Sequence, residues 1–340
     1  MKKTILPTIS VVIATYNSER TLELCLRKVR EQDYPRSKVE IIIADGGSTD
    51  QTLGIAKKFL AKMVRVDPYH QNAEYNKGIG VRAAGNDIVL LLDYDNILPH
   101  RQWFAHMVKP FMDHPEVVDV EPLRFHYDPT MTPLDRYCAL LGGSDPVVYY
   151  LGKDSHLSWM ENSYTLLGHA QDRGNYYLVT YTRDGIPALG GNGAAIRRKL
   201  LLEHAQADPE HFYHIDVLAD LIRKGFTTFA LTKDTIMHLT NNRVIPFLLR
   251  RKYFIDRYQF DTSLNRRYFI YDPSRDKLRL MWYTIISLTV VVPLYDALRG
   301  FIKVHDWVWF LHPFMCLAYL FLYGTSVIQG AIRRVFTNPG

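Results

Sequence analysis

Asp87-Ile-Val-Leu-Leu-Leu-Asp-Tyr-Asp95 sets an aliphatic run directly ahead of two carboxylates spaced one residue apart. A run with no polar alternation predicts a short strand buried on both faces. Such strands belong to mostly parallel sheets, whose ligands bind beyond the carboxyl ends of the strands. Asp93 and Asp95 fall at that end. Two oxygen ligands there suit Mg2+ or Mn2+, hard ions that also bridge diphosphate oxygens. A D-x-D pair is common in unrelated chains, and its place after Ile88–Leu92 is what gives it weight.

The flanking sequence repeats the pattern. Ile9-Ser-Val-Val-Ile-Ala14 runs into Thr15-Tyr16-Asn17, and Val39-Glu-Ile-Ile-Ile-Ala44 into Asp45-Gly-Gly-Ser-Thr-Asp50. Met63 to Val66 is a third short strand, and apolar spacing predicts helices over 19–32, 51–61 and 72–85. This alternation predicts an α/β fold, a mostly parallel sheet flanked by helices, with three polar clusters converging on one edge. Residues 119–190 are less regular and read as an insertion on the acceptor side. Beyond them, helices are expected over 194–206 and 214–224, and a strand over Phe226–Leu231.

The tail has another character. Leu280 to Tyr295 and Trp307 to Ile332 carry no Asp, Glu, Lys or Arg. A membrane-spanning helix needs about 20 apolar residues. The second segment exceeds that; the first is short and has Pro293 near its end. Arg266, Arg267, Arg275, Lys277 and Arg279 precede the pair, and Arg333 and Arg334 follow it. By the positive-inside rule a hairpin so flanked has both ends, and the catalytic domain, in the cytoplasm. The organisation expected is a catalytic domain at 1–255, divided into halves at 1–115 and 116–255. A basic linker at 256–279, two transmembrane or interfacial helices within 280–332 and a tail at 333–340 complete it.

Composition narrows the classes. The 340 residues are 47% hydrophobic and 22% charged, which fits a folded protein. The net charge of +6 is spread along the chain, so it points to anionic small molecules or lipid headgroups and not to nucleic acid. Cys25, Cys138 and Cys316 form no closely spaced pair, which excludes a zinc ribbon or a disulfide framework.

Together, Val11-Val-Ile-Ala-Thr-Tyr-Asn17, Ile42-Ile-Ala-Asp-Gly-Gly-Ser-Thr-Asp50, Asn76-Lys-Gly78, Ala84-Gly85 and Leu91-Leu-Asp-Tyr-Asp95 resemble a family 2 glycosyltransferase of the GT-A fold. The resemblance is strong over roughly residues 9–115 and looser over 185–255. It implies that Thr15, Tyr16, Asn17 and Asn76 line a nucleotide-sugar pocket, with Asp45 on the base and Asp50 closing its turn. Asp93 would lie near ribose and metal, and Asp95 would be the main metal ligand. Gly190-Gly191-Asn192-Gly193 resembles the family's acceptor-side loop. Asp216 occupies the place of the general base, although Ile215 stands where the family usually has Glu; His214 is beside it. In related enzymes a His near the position of His238 joins the metal or diphosphate.

Arg250 and Arg251 suit bidentate binding of a diphosphate, and equally of lipid headgroups. The Gln-x-x-Arg-Trp of processive members is not matched by Phe254-Ile-Asp-Arg-Tyr258. The expected activity is therefore an inverting transfer from a UDP- or GDP-sugar, assisted by Mn2+ or Mg2+. Its expected acceptor is membrane-associated, a polyprenyl phosphate or lipid-linked saccharide. A soluble or protein acceptor, or a degenerate membrane-bound binding protein, is the alternative.

Overall fold

The computed structural model describes residues 6–240, 242–257 and 266–337; the side chains of Pro273 and of residues 331–337 are outside that description. Tyr258 and the side chains of Arg333 and Arg334 thus lie outside the described residues. The chain forms two compact units, one of residues 1–126 and 167–239, the other of 127–166 and 240–340.

The first unit is built on one mixed sheet. Its strands in chain order are β1 (Ile9–Thr15), β2 (Val39–Asp45), β3 (Lys62–Arg65), β4 (Ile88–Asp93), β5 (Asn96–Ile97), β6 (Asp119–Phe125), β7 (His169–Asp172), β8 (Tyr176–Thr180), β9 (Ala194–Arg197) and β10 (Thr228–His238). The spatial order is β3-β2-β1-β4-β9-β6-β10-β8-β7, with β5 paired to the end of β10. The β3-β2-β1-β4 portion is parallel, as the aliphatic runs predict. From β9 onward the pairing is antiparallel apart from β6 with β10. The helix expected from residue 194 begins only at Arg198, because Ala194–Arg197 is taken up as a strand between β4 and β6. The strand expected over 226–231 runs on to His238.

Helices α1 (Glu19–Arg30), α2 (Thr52–Lys58), α3 (Ala73–Ala83) and α4 (Trp103–Asp113) alternate with the first strands. Helices α5 (Pro133–Leu141) and α6 (Pro146–Leu151) belong to the second unit, and α7 (Arg198–His204) and α8 (His214–Arg223) to the first. Every residue of β1 is buried, and so are Ile88 to Leu92 of β4. Gly80 lets α3 approach β1: a Cβ there would stand 2.4 Å from Val12 Cγ1, and Val12 is wholly buried. Gly80→Ala is therefore expected to cost about 1–2 kcal/mol, overpacking outweighing the gain in helix propensity. Urea denaturation of the variant checks this; unchanged stability would mean that the contact relaxes freely.

The second unit contains α9 (Val244–Ile255), α10 (Pro273–Thr289), α11 (Val291–Lys303) and α12 (His312–Thr337), the last preceded by a 3-10 turn at Trp307–Leu311. Helix α9, grouped by sequence with the catalytic domain, packs through Phe247 and Leu248 into the core of this unit with Tyr283, Trp309 and Tyr319. The segment expected to run from 280 to 295 is not one straight helix. It breaks at Val290, which takes φ +63°, and the helices on either side meet at 80°. Pro293 has no N–H for the carbonyl of Thr289, so α10 cannot continue through it. Among the described residues one unbroken helix, Trp307–Gly330, is by length and composition apolar enough to cross a membrane, and only 28% of its most apolar window is buried.

Candidate active site

The loops after β1, β2 and β4 lie side by side, because these strands are parallel neighbours in register from Ile9 to Asp45 and Asp93. After β1 the chain turns through Asn17, which adopts φ +48°. Its side-chain oxygen accepts from the Thr49 amide at 2.9 Å, and its own amide donates to Ser48 Oγ at 2.9 Å. The buried Asp45 carboxylate accepts from the Gly47 and Ser48 amides (3.0 and 2.8 Å) and from the Thr15 and Ser48 hydroxyls (2.8 and 2.5 Å). A carboxylate offers about four acceptor positions, so Asp45 here shapes the turn with all of them.

Asp50 accepts from the amides of Glu19 and Thr52 at 3.1 and 3.0 Å, while Glu19 accepts from the Gln51 amide at 2.8 Å. The starts of α1 and α2 thus cap each other. Tyr16 is half exposed. Asn76 is buried beside Gly46, with its Oδ1 unpartnered.

Asp93 and Asp95 face different partners. Lys77 Nζ lies 3.0 Å from Asp93 and 3.6 Å from Glu74, and Lys77 and Glu74 are both buried. Glu74 in turn accepts from the His214 amide at 2.8 Å and meets its Nδ1 at 2.9 Å. Burial alone would raise the Asp93 carboxyl, but the Lys77 ammonium outweighs it and holds the group below its usual range. Glu74 is lowered in the same way, with burial overcome by His214 and Lys77, and Lys77 is raised because Asp93 and Glu74 outweigh its desolvation. Neither Glu74 nor Lys77 was singled out from the sequence; the signal available was Lys77 within the Asn76-Lys-Gly78 block.

Asp95 instead approaches His238, with Oδ2 to Nε2 at 3.4 Å. The pairing of β5 with β10 sets Asn96 opposite His238, and the Leu239 amide donates to the Asp95 carbonyl at 2.9 Å. Asn96 also accepts from the Asp93 amide (2.9 Å) and donates to Asn192 (3.0 Å). This joins the 190–193 loop to the backbone at Asp93. Asn192 adopts φ +54° and Gly193 φ +97°; a Cβ on Gly193 would strike Ile236. Gly190 is pressed on the start of α8, where a Cβ would lie 2.8 Å from the His214 carbonyl. Asp216, in the first turn of α8, is fully buried. Arg250 and Arg251 are on α9 in the second unit, where Arg251 lies 3.9 Å from Asp145.

Beneath the loop is an acid pair that sequence reading passed over. Asp119 and Glu121, two apart on β6, are wholly buried, and Glu121 accepts from the Gly190 amide at 2.6 Å. Burial raises both carboxyls; Glu121 adds to the rise at Asp119, and Glu121 itself is pushed up to about 8. A raised acid contributes stability that is complete below its ordinary value and lost as pH climbs through the raised one. Stability is therefore expected to fall between about pH 4.5 and pH 8, by up to about 1.4 kcal/mol per pH unit for one proton. Urea denaturation across this range, with Glu121→Gln as the flattened control, checks it; parallel profiles for the two proteins would contradict it.

Residues 10–205 match the sequence profile of glycosyl transferase family 2. Glycosyltransferase AglE of Haloferax volcanii is 33% identical over 107 residues, which are 30% of this chain and 35% of AglE. A Methanococcus voltae enzyme, dolichyl N-acetyl-alpha-D-glucosaminyl phosphate 3-beta-D-2,3-diacetamido-2,3-dideoxy-beta-D-glucuronosyltransferase, is 44% identical over 54 residues, 16% of this chain and 17% of its own. The alignments thus span about a third or less of these curated relatives. The structure of mannosyltransferase PcManGT from Pyrobaculum calidifontis, in complex with GDP-Man and Mn2+, superposes with a TM-score of 0.51 at 17% identity. It covers 94% of this chain and 88% of that one, a likeness of fold. With the family profile matched over more than half its length, and with the mixed α/β sheet and flanking helices of the GT-A fold, this chain belongs to glycosyl transferase family 2.

Proposed function

We propose that the chain is an inverting glycosyltransferase that moves a sugar from a UDP- or GDP-linked donor to a membrane-associated acceptor, either a polyprenyl phosphate or a lipid-linked saccharide. The observation carrying this reading is the convergence of the Thr15–Asn17, Asp45–Asp50 and Asp93–Asp95 loops, with Asp95 against His238. The first two loops form the frame for the nucleotide, and the unpartnered Asn76 oxygen is an acceptor for one of its donors. A carboxylate oxygen and an imidazole nitrogen 3.4 Å apart suit Mn2+ or Mg2+, so Asp95 and His238 would hold the ion, with Asp93 beside them. When bound, that ion neutralises charge on the departing nucleoside diphosphate.

Lys77 keeps Asp93 ionised and fixed in direction. Asp216 is the general base for the acceptor hydroxyl, since a single inverting displacement needs one base opposite the leaving group. Asp216 is buried, and Gly190 of the 190–193 loop stands against His214, two residues before it.

Membrane association is supported by the second unit. Met281, Trp282, Ile285 and Leu288 on α10, and Leu294, Leu298 and Ile302 on α11, are exposed apolar side chains. The acids of these segments are turned inward: Asp276 pairs with Lys153, Asp296 accepts from Tyr150, and Asp306 pairs with Arg136. Apolar faces outward with charges neutralised inward suit a lipid environment. The basic residues before α10 favour a cytoplasmic catalytic unit.

The test is nucleoside diphosphate release by detergent-solubilised protein from a panel of UDP- and GDP-sugars, with Mn2+ or Mg2+ and total membrane lipid. Lipid-stimulated release with one donor, reduced at least ~100-fold by Asp95→Asn, is the expected result. Release indifferent to lipid would transfer the acceptor to the soluble or protein class. Metal-dependent nucleotide binding without turnover on the full panel would overturn the enzymatic reading in favour of a binding protein.

A further inference from the structure

A second set of metal-type ligands lies elsewhere in the first unit. Among the described residues, His100, His106 and Asp234 form a group whose ligand atoms all lie within 4.8 Å of one another. They come from three elements: the turn after β5, the first half of α4, and β10. His100 Nε2 is 2.9 Å from both oxygens of Asp234, and His106 Nδ1 is 2.8 Å from Oδ2. The two imidazoles are 5.1 Å apart, centre to centre. Asp234 is buried, whereas the side chains of His100 and His106 are 36% and 54% exposed, so a small ion from solvent has access.

The three side chains stand on a fixed frame. Gln32 donates to the His100 carbonyl at 2.8 Å and accepts from the Phe104 amide at 3.0 Å. The Trp103 indole donates to the Thr235 carbonyl at 2.8 Å, and the Thr235 amide donates to Asp234 Oδ1 at 2.7 Å. This holds the beginning of α4 and the Asp234–Thr235 stretch of β10 in one arrangement, the preorganisation a metal site requires. Two ring nitrogens converge on one carboxylate oxygen, and each must keep its proton on that side. A cation in the same place takes both nitrogen lone pairs and the carboxylate charge together.

We propose that His100, His106 and Asp234 form a binding site for a zinc-class divalent cation, separate from the ion expected at Asp95 and His238. Two imidazole nitrogens and one carboxylate oxygen favour Zn2+ or its first-row neighbours over Mg2+ and Ca2+, which prefer sets richer in oxygen. On binding, His100 Nε2 and His106 Nδ1 present their lone pairs, the proton of each ring residing on its other nitrogen, and water completes the coordination. The two positions share no ligand. Asp234 and His238 are four residues apart on β10, roughly 13 Å along an extended strand. The ion would clamp α4 to the strand whose far end carries His238.

The experiment uses tag-free, full-length protein in detergent, stripped with chelator and reloaded with ZnCl2, or with CoCl2 as a spectroscopic probe. Bound metal is counted by mass spectrometry after desalting, for wild type, Asp95→Asn and His106→Ala. His106 is exposed enough for its truncation to leave folding intact. The expected result is one zinc per chain retained by Asp95→Asn and lost by His106→Ala. Cobalt absorption and a zinc-dependent rise in melting temperature should follow the same division. Equal zinc in wild type and His106→Ala, loss caused by Asp95→Asn alone, or no stoichiometric zinc in wild type would each overturn the site. No sugar donor enters the assay, so its failure is distinct from failure of the transferase reading.

Discussion

Replacing Lys77 with alanine is expected to destabilise the first unit by about 3–5 kcal/mol, as removal of one partner from a buried ion pair does. Lys77 is buried between Glu74, also buried, and Asp93. Its loss leaves two acids near one another with His214 as the remaining counter-group on Glu74. Because both carboxyls are held below their usual range, the stability they contribute is present above that range and lost as pH falls through the lowered values. The deficit of Lys77→Ala should accordingly be largest near neutrality and shrink in acid, where the orphaned acids take up protons. Urea denaturation at several pH values reads both effects. A deficit under about 1 kcal/mol at neutral pH would mean that water supplies what the ammonium does.

Asp216→Asn should lower sugar transfer about 10²–10⁴-fold while leaving donor affinity unchanged. Asparagine keeps the shape of a side chain that is fully buried at the start of α8, but it cannot accept a proton. In the proposed reading donor binding depends on groups at the ends of β1, β2 and β4, so the two readouts should separate. Calorimetric titration of nucleoside diphosphate beside a turnover assay measures them, with a melting curve to confirm folding. Turnover within about fivefold of wild type would remove Asp216 from the role of base, and His214, already bonded to Glu74, would be the next candidate.

β1, β2 and β4 are legible in sequence because they are largely covered on both faces and read as continuous aliphatic runs, whereas β3 is mostly exposed. The loops that follow them inherit that clarity. Other features depend on long-range packing. Glu74 and Lys77, three apart on a helix, look like an ordinary solvent-facing pair until α3 is laid on the sheet. Asp119 and Glu121 alternate with Val118 and Val120, the pattern of a strand with one wet face, yet both acids are buried. Ala194-Ala-Ile-Arg197 favours a helix locally, and pairing with β4 and β6 overrides it. His100 and Asp234 meet across more than a hundred residues, so no local spacing announces them. In the tail, Pro293 was visible as a breaker, but a β-branched valine in a left-handed conformation at 290 was not.

The position of β9 has a bearing on how the chain acquires its shape during synthesis. β4 and β6 do not pair with each other; β9, which begins at Ala194, is the strand between them. The parallel portion from β1 to β4 can collapse early, from neighbours close in sequence. The seam to the rest of the sheet must wait until a segment some hundred residues downstream of β4 has left the ribosome and inserted itself, since contacts so distant carry a large loop-closure cost. Until then β4 presents an open, aliphatic edge. The nascent protein thus passes through an interval in which its most hydrophobic strand is available to any passing β-segment, and a chaperone that shields such edges would be of greatest use then.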